Sequence, residues 1–71
     1  INGDYLLKAL PYLDKAIYLD SNNSMYYYDR FYCKIHVGDS IDAWNDLLKS
    51  CENGNSVACW MLETEANRRR H

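Results

Sequence analysis

The sequence predicts an all-α fold, a short repeat solenoid of about four antiparallel helices joined by short turns. Apolar residues recur at helical spacing throughout, and no segment alternates as a strand would. A shift of 34 residues (47 − 13, for example) also superposes the apolar positions of two segments, and a fixed period of this length is typical of stacked helical repeats. The superposed pairs are Leu7 and Ile41, Ala9 and Ala43, Leu10 and Trp44, Leu13 and Leu47, Ala16 and Ser50, and Ile17 and Cys51.

The first helix is expected within residues 1–23, as the second helix of a repeat whose first helix is missing. Asp4 follows an Asn-Gly turn and is a candidate N-cap. Pro11 conflicts with a continuous helix because it removes one backbone hydrogen bond and clashes with the preceding turn. We therefore expect a kink near Leu7, or a short turn followed by the main helix from Leu10. The apolar stripe consists of Leu6, Leu10, Leu13 and Ile17.

The second helix is expected from a cap at Ser24 to about His36, as the first half of a helix pair over residues 24–52. Its apolar residues cover more than one face, so one face can pack while another meets a ligand, another subunit or solvent. These residues are Met25, Tyr26, Tyr27, Tyr28, Phe31, Tyr32, Ile35 and Val37.

Gly38 is expected to end the second helix, and Asp39 or Ser40 to cap the third. A terminal or capping helix is expected within residues 55–71, starting at Asn55 or Ser56. The expected buried stripe of the third helix is Ile41, Ala43, Trp44, Leu47, Leu48 and Cys51. The expected inner face of the fourth is Val57, Trp60, Met61 and Thr64.

Composition excludes several classes of function. The chain of 71 residues has a net charge of −2, whereas a nucleic-acid-binding domain carries a clear basic excess. No apolar run approaches the roughly 20 residues that span a membrane. The acidic residues are expected on solvent-facing sides of the helices. Because the chain begins with Ile1, it is expected to be a processed or excised piece, and the lack of a signal peptide carries little weight.

Two segments resemble the tetratricopeptide repeat. The segment 15–23 (KAIYLDSNN) resembles the end of such a repeat with Ser21 in place of the usual proline, and 38–43 (GDSIDA) resembles its inter-helix turn. Phe31 departs from the family, which usually has a small residue there. The resemblance implies binding of a protein or peptide on a concave surface lined by the first helix of each pair. The residues then facing the groove are Met25, Tyr28, Tyr32 and Ile35.

A narrower resemblance lies at 49–60 (KSCENGNSVACW), where two cysteines straddle a turn as in the cysteine-rich Sel-one-like repeats. It implies a disulfide between Cys51 and Cys59. The equivalent positions one period earlier are Ile17 and Met25, both apolar, which fits a contact in both copies. Two buried reduced thiols are the competing interpretation. The compartment would be secreted or periplasmic with the disulfide, and cytoplasmic without it.

The predicted function is protein–protein recognition without catalysis, cofactor or metal. The tyrosines of the second helix either line a groove or pack against other helices, and the sequence leaves both open. One alternative is a self-associating module in which two chains cover each other's exposed faces. A weaker alternative is a thiol enzyme or hydrolase built on Cys33 and His36, which are also spaced as half of a zinc site, although neither Cys33 nor His36 has an evident catalytic neighbour.

Overall fold

The computed structural model describes the backbone of residues 3–69 and the side-chain environments of residues 5–68. Within these residues the chain is helical and contains no strand, which confirms the all-α prediction. The helices are α1 (Gly3–Leu19), α2 (Ser24–Val37), α3 (Ser40–Glu52) and α4 (Ser56–Arg69). Helix α2 packs on both α1 and α3, and α3 also packs on α4.

Helix α1 runs through Pro11 without interruption, so the expected main helix from Leu10 is wrong. Asp4 lies inside α1 and is not its cap. Leu6 and Ile17 are buried on either side of the proline. Because both ends of the helix are held by packing, the cost of proline inside a helix, about 3 kcal/mol, does not break it.

Helix α2 is capped one residue earlier than predicted. The Asn23 side chain accepts a hydrogen bond from the backbone N–H of Met25 at 3.0 Å, whereas Ser24 is the first helical residue. At the other end Gly38 has a φ of 93°, a left-handed conformation that favours glycine. The N–H of Asp39 then donates to the carbonyl of Lys34 at 2.9 Å, which closes the helix end.

The caps of α3 and α4 differ in kind. Asp39 occupies the N-cap of α3, although its side chain makes no capping hydrogen bond. Asn55 precedes α4, and its side-chain oxygen accepts a hydrogen bond from the N–H of Ala58 at 3.1 Å. Asn55 therefore caps α4, which begins at Ser56, one of the two predicted starts.

The core lies where α2, α3 and α4 meet. Its buried centre consists of Phe31, Ala43, Leu47 and Ala58. The large ring of Phe31 fits at this junction because the two alanines leave room for it. Partly buried side chains surround this centre: Tyr28, Trp44, Cys51, Met61 and Leu62.

The predicted buried faces of α3 and α4 are partly wrong. Ile41 is 81% exposed and Leu48 is also exposed, whereas Asp46 and Ser50 are buried. On α4 the exposed residues include Val57, Trp60 and Thr64, and the packed face is Ala58, Met61 and Leu62. The packed face of α4 is thus rotated by about one residue from the predicted inner face. The reason is that small residues at the contacts bring the helix axes close, and larger apolar side chains are displaced to the edges.

Candidate functional site

The predicted binding residues lie on a single exposed side of α2. Met25 is 54% exposed, Tyr32 46% and Ile35 36%. Tyr28 is half-buried because its ring packs on the core, with its centroid 6.0 Å from that of Phe31. We call Met25, Tyr28, Tyr32 and Ile35 the α2 stripe. It is a continuous apolar surface on a helix that already packs on two neighbours.

The start of the α2 stripe borders a shallow hollow of about 400 Å³. Met25 and Tyr28 form one wall, and the turn before α4 forms the other. The residues that line it are Ser24, Met25, Tyr28, Gly54, Asn55, Ser56 and Val57. The amide nitrogen of Asn55 lies 3.8 Å from the sulfur of Met25, and the hydroxyl of Tyr28 lies 3.8 Å from the sulfur of Met61. The two methionine sulfurs thus join α2 to α4 and the turn before it.

Tyr32 and Ile35 lie farther along α2 and do not line this hollow. The Tyr32 ring contacts the imidazole of His36, with 4.4 Å between ring centroids. The four predicted residues therefore share one side of the helix, but only two of them meet at a concave feature.

Cys51 and Cys59 lie at disulfide distance, with their Cα atoms 4.8 Å apart. This pairing was predicted from the sequence resemblance and is seen in the structure. The bond joins the last turn of α3 to the first turn of α4 across Asn53 and Gly54. Since Gly54 lines the hollow, the disulfide holds one wall of it. Gly54 has a φ of 106°, which only glycine adopts without strain.

An ionic cluster that was not predicted from the sequence lies between α1, α2 and α3. Asp46 is only 4% exposed, which corrects the expectation that the acidic residues face solvent. Its two carboxylate oxygens accept hydrogen bonds from Arg30 at 2.7 and 2.9 Å, and Lys34 lies 3.1 Å away. Arg30 also donates to Asp14 at 2.9 Å, so this one guanidinium joins α1, α2 and α3. The hydrogen bond to Asp46 is the main reason that the pKa of Arg30 is raised.

A signal for this cluster was present in the sequence. Asp46 lies three residues after Ala43 and four before Ser50, which puts it on the small-residue side of α3. A carboxylate on a buried side requires a cation from a neighbouring helix. Arg30 and Lys34, four residues apart on α2, are suitably spaced to supply it.

The structure gives Cys33 and His36 different surroundings. Cys33 is buried, and its pKa is raised by desolvation and by the charge of Asp29. A reactive thiol needs a lowered pKa, so this environment opposes nucleophilic chemistry. His36 is exposed and contacts Tyr32. Among the side chains that the structure describes, no cluster of three or more metal-ligating residues is found.

A larger groove of about 620 Å³ runs between α1 and α2. It is mainly apolar, with Lys8 on one edge and Asp29 on the other. The groove is lined by Tyr5, Leu6, Lys8, Ala9, Tyr12, Leu13, Asp29 and Cys33. Sequence analysis assigned no role to this groove.

Comparisons of the chain with models of protein families, with curated proteins and with solved structures find no match. The tetratricopeptide and Sel-one-like resemblances therefore stay predictions from the residues that carry them. Within the described part of the chain, no helix combines the length and apolar character that crossing a bilayer requires.

Proposed function

We propose that this chain is a protein–protein interaction module, a short tetratricopeptide-like solenoid that binds a peptide along the α2 stripe and performs no catalysis. In this proposal α1 is the second helix of an incomplete repeat. Helices α2 and α3 form a complete antiparallel pair, and α4 starts the next repeat or caps the array.

Two observations support the solenoid. Helices pack in chain order, each on the next, as the 34-residue period of the sequence requires. The molecule measures 37 × 27 × 17 Å, and its shortest dimension suits two layers of helices whose axes lie about 8–10 Å apart.

The observation that carries the binding proposal is the exposure of the α2 stripe. Helix α2 packs on α1 and on α3, and of the stripe residues only Tyr28 is packed against the core. The other three side chains, Met25, Tyr32 and Ile35, are exposed to solvent. Contiguous exposed apolar surface of this kind marks interaction sites, and tyrosine suits them because it combines a large ring with a polar hydroxyl.

A peptide selection tests the proposal. Peptides would be selected by display against the folded chain, and their affinities measured for the unchanged chain and for Met25→Ala combined with Tyr32→Ala. Both side chains are about half exposed, so the variant should keep its helical circular dichroism. We expect at least about a tenfold loss of affinity, because a central interface tyrosine is typically worth more than 1 kcal/mol.

The matched control is Tyr18→Ala, which removes a highly exposed tyrosine from α1. This variant should bind the selected peptides as the unchanged chain does. If the selected peptides bind the Met25→Ala and Tyr32→Ala variant with unchanged affinity, the α2 stripe is not the binding surface and the proposal is wrong.

A further inference from the structure

Helix α1 has a regular row of residues that does not contribute to the core. Large and small side chains alternate along it at spacings of four and three residues, which is the spacing of a helix–helix contact. We call this row the α1 seam; it consists of Tyr5, Ala9, Tyr12, Ala16 and Leu19. Tyr12 is 78% exposed, the other two large residues are also highly exposed, and the alanines are half-buried.

The 34-residue period shows what such a row does elsewhere in the molecule. Ala9, Tyr12 and Ala16 correspond to Ala43, Asp46 and Ser50 of α3. All three α3 residues are buried where α2 packs on α3. Phe31 of α2 packs in the cluster that contains Ala43, and the Ser50 hydroxyl donates to the Ser24 carbonyl at 2.8 Å. A helix that packed on the α1 seam as α2 packs on α3 would lie along the groove between α1 and α2.

The charged residues at the two rows differ. On α3 the row contains Asp46, and the helix that covers it supplies Arg30 and Lys34. On α1 the equivalent of Asp46 is Tyr12, flanked by Lys8 four residues before and Lys15 three residues after. Both lysines are exposed. At Tyr12 a basic helix such as α2 would bring its cations beside two ammonium groups, whereas acidic residues there would be attracted to them. The carboxylate of Asp29 lies at the opposite, α2 edge of the groove, so the acidic residues of a partner belong on its α1 side.

We infer that the α1 seam is a second docking surface, distinct from the α2 stripe, and that its partner is an amphipathic helix of another protein. The partner helix places a large apolar residue on Ala9 and acidic residues beside Lys8 and Lys15. A second copy of this chain is a poorer partner. In an antiparallel pair of identical α1 helices, the same flank of each helix meets, and the lysines of both copies would be brought together.

The chain itself supplies the probe for this inference. One peptide has the sequence of residues 24–37 with Arg30→Glu, Lys34→Glu and Cys33→Ser. The matched control peptide has Cys33→Ser alone, so the two differ only in the charges that would face Tyr12. Binding to the folded chain is measured by fluorescence anisotropy at low and high salt. We expect the acidic peptide to bind at least about tenfold more tightly, and the difference to shrink as salt screens the lysines.

Three variants locate the binding. Lys8→Glu combined with Lys15→Glu should reverse the preference between the two peptides. Tyr12→Ala should weaken both, and Tyr18→Ala, on another side of α1, should change neither. The inference is overturned if the two peptides bind equally, or if the preference survives reversal of the lysines.

Sedimentation velocity of the chain alone tests the competing occupant. The inference expects a monomer at concentrations at which the acidic peptide binds. A dimer that Tyr12→Ala dissociates and Tyr18→Ala leaves intact would show that a second copy covers the seam, and would overturn the inference. Both probe peptides contain the same Met25, Tyr28, Tyr32 and Ile35 side chains, so the difference between the peptides and the effects of the α1 variants do not depend on the α2 stripe.

Discussion

Helices α1 and α3 have closely similar patterns of small and apolar residues 34 positions apart, yet only α3 is covered. Ala43, Leu47 and Ser50 are fully buried between α2 and α4. Their equivalents Ala9, Leu13 and Ala16 are only half-buried, because within the described residues the main packing partner of α1 is α2. A pattern in the sequence therefore identifies a face that can be buried, and the presence of a neighbour decides whether it is.

The two helix junctions also differ. The contact between the end of α3 and the start of α4 is covalent, through Cys51 and Cys59. The equivalent positions at the junction of α1 and α2 are Ile17, which is buried, and Met25, which is exposed. One junction is thus held by a bond and the other by packing. The α3–α4 end should consequently be the more stable part of the molecule.

The largest expected effect is on the fully packed face. Leu47→Ala should lower the free energy of unfolding by about 3 kcal/mol, because it leaves a cavity that its neighbours cannot fill. Its equivalent, Leu13→Ala, should cost about 1 kcal/mol, since that side chain still contacts water. Urea unfolding followed by circular dichroism measures both. Equal losses for the two leucines would contradict the claim that only α3 is covered.

The next largest effect concerns the disulfide. Replacing Cys51 and Cys59 together by alanine should cost about 2 kcal/mol, because the loop that the bond closes is short and its entropic contribution is moderate. Thermal unfolding with and without a reducing agent measures the loss. The reducing agent should destabilise the unchanged chain and have no effect on the double variant. If reduction leaves the unfolding temperature of the unchanged chain as it was, the bond does not stabilise the junction.

The two carboxylates that bind Arg30 give a third comparison, between a buried ion pair and an exposed one. Asp46→Asn should cost about 2 kcal/mol, since the partly buried Lys34 would lose its carboxylate and Arg30 would keep only the exposed Asp14. Asp14→Asn removes the exposed partner of the same Arg30 and should cost less than about 0.5 kcal/mol. The same urea series provides the measurement. A cost for Asp14 as large as that for Asp46 would show that burial is not what makes the pair strong.

The smallest expected effect is on thiol chemistry. The raised pKa of Cys33 keeps its thiol protonated to a higher pH in the folded chain than in the unfolded chain. Alkylation with iodoacetamide should therefore be slower in the folded chain, and its rate should rise at higher pH. Because the folded pKa is raised, this group contributes stability at low pH that is lost as pH increases past the ordinary thiol pKa.

The control for this prediction is Cys33→Ala, which should abolish alkylation in the folded chain and remove the alkaline loss of stability that the thiol causes. Alkylation of the folded chain as fast as that of the chain in urea would contradict the burial of Cys33.

Sequence reasoning predicted the parts of this fold that depend on local chemistry. The four helices and the glycine that ends α2 follow from spacing and turn residues. The pairing of Cys51 with Cys59 came from a resemblance and is seen in the structure. The alternative of a short turn followed by a main helix from Leu10 was wrong because the local penalty of Pro11 was weighed without the packing of Leu6 and Ile17 on either side of it.

The features that were missed depend on contacts between helices. The packed face of α4 is set by Ala58 against Phe31, a contact between residues far apart in the chain. Asp46 looks like a surface residue until Arg30 and Lys34 of the neighbouring helix are taken into account. The groove along α1 was missed because its residues are spread over two helices, and the period was used only to predict the fold.

Native-state hydrogen exchange compares the two faces most directly. Backbone amides of residues 43–50 in α3 should exchange only through global unfolding, whereas those of residues 9–16 in α1 should exchange at least about tenfold faster through local opening. Low concentrations of denaturant should accelerate exchange in α3 and leave α1 nearly unchanged. Equal protection of the two helices, with the same denaturant dependence, would contradict the claim that α3 is covered and α1 is open.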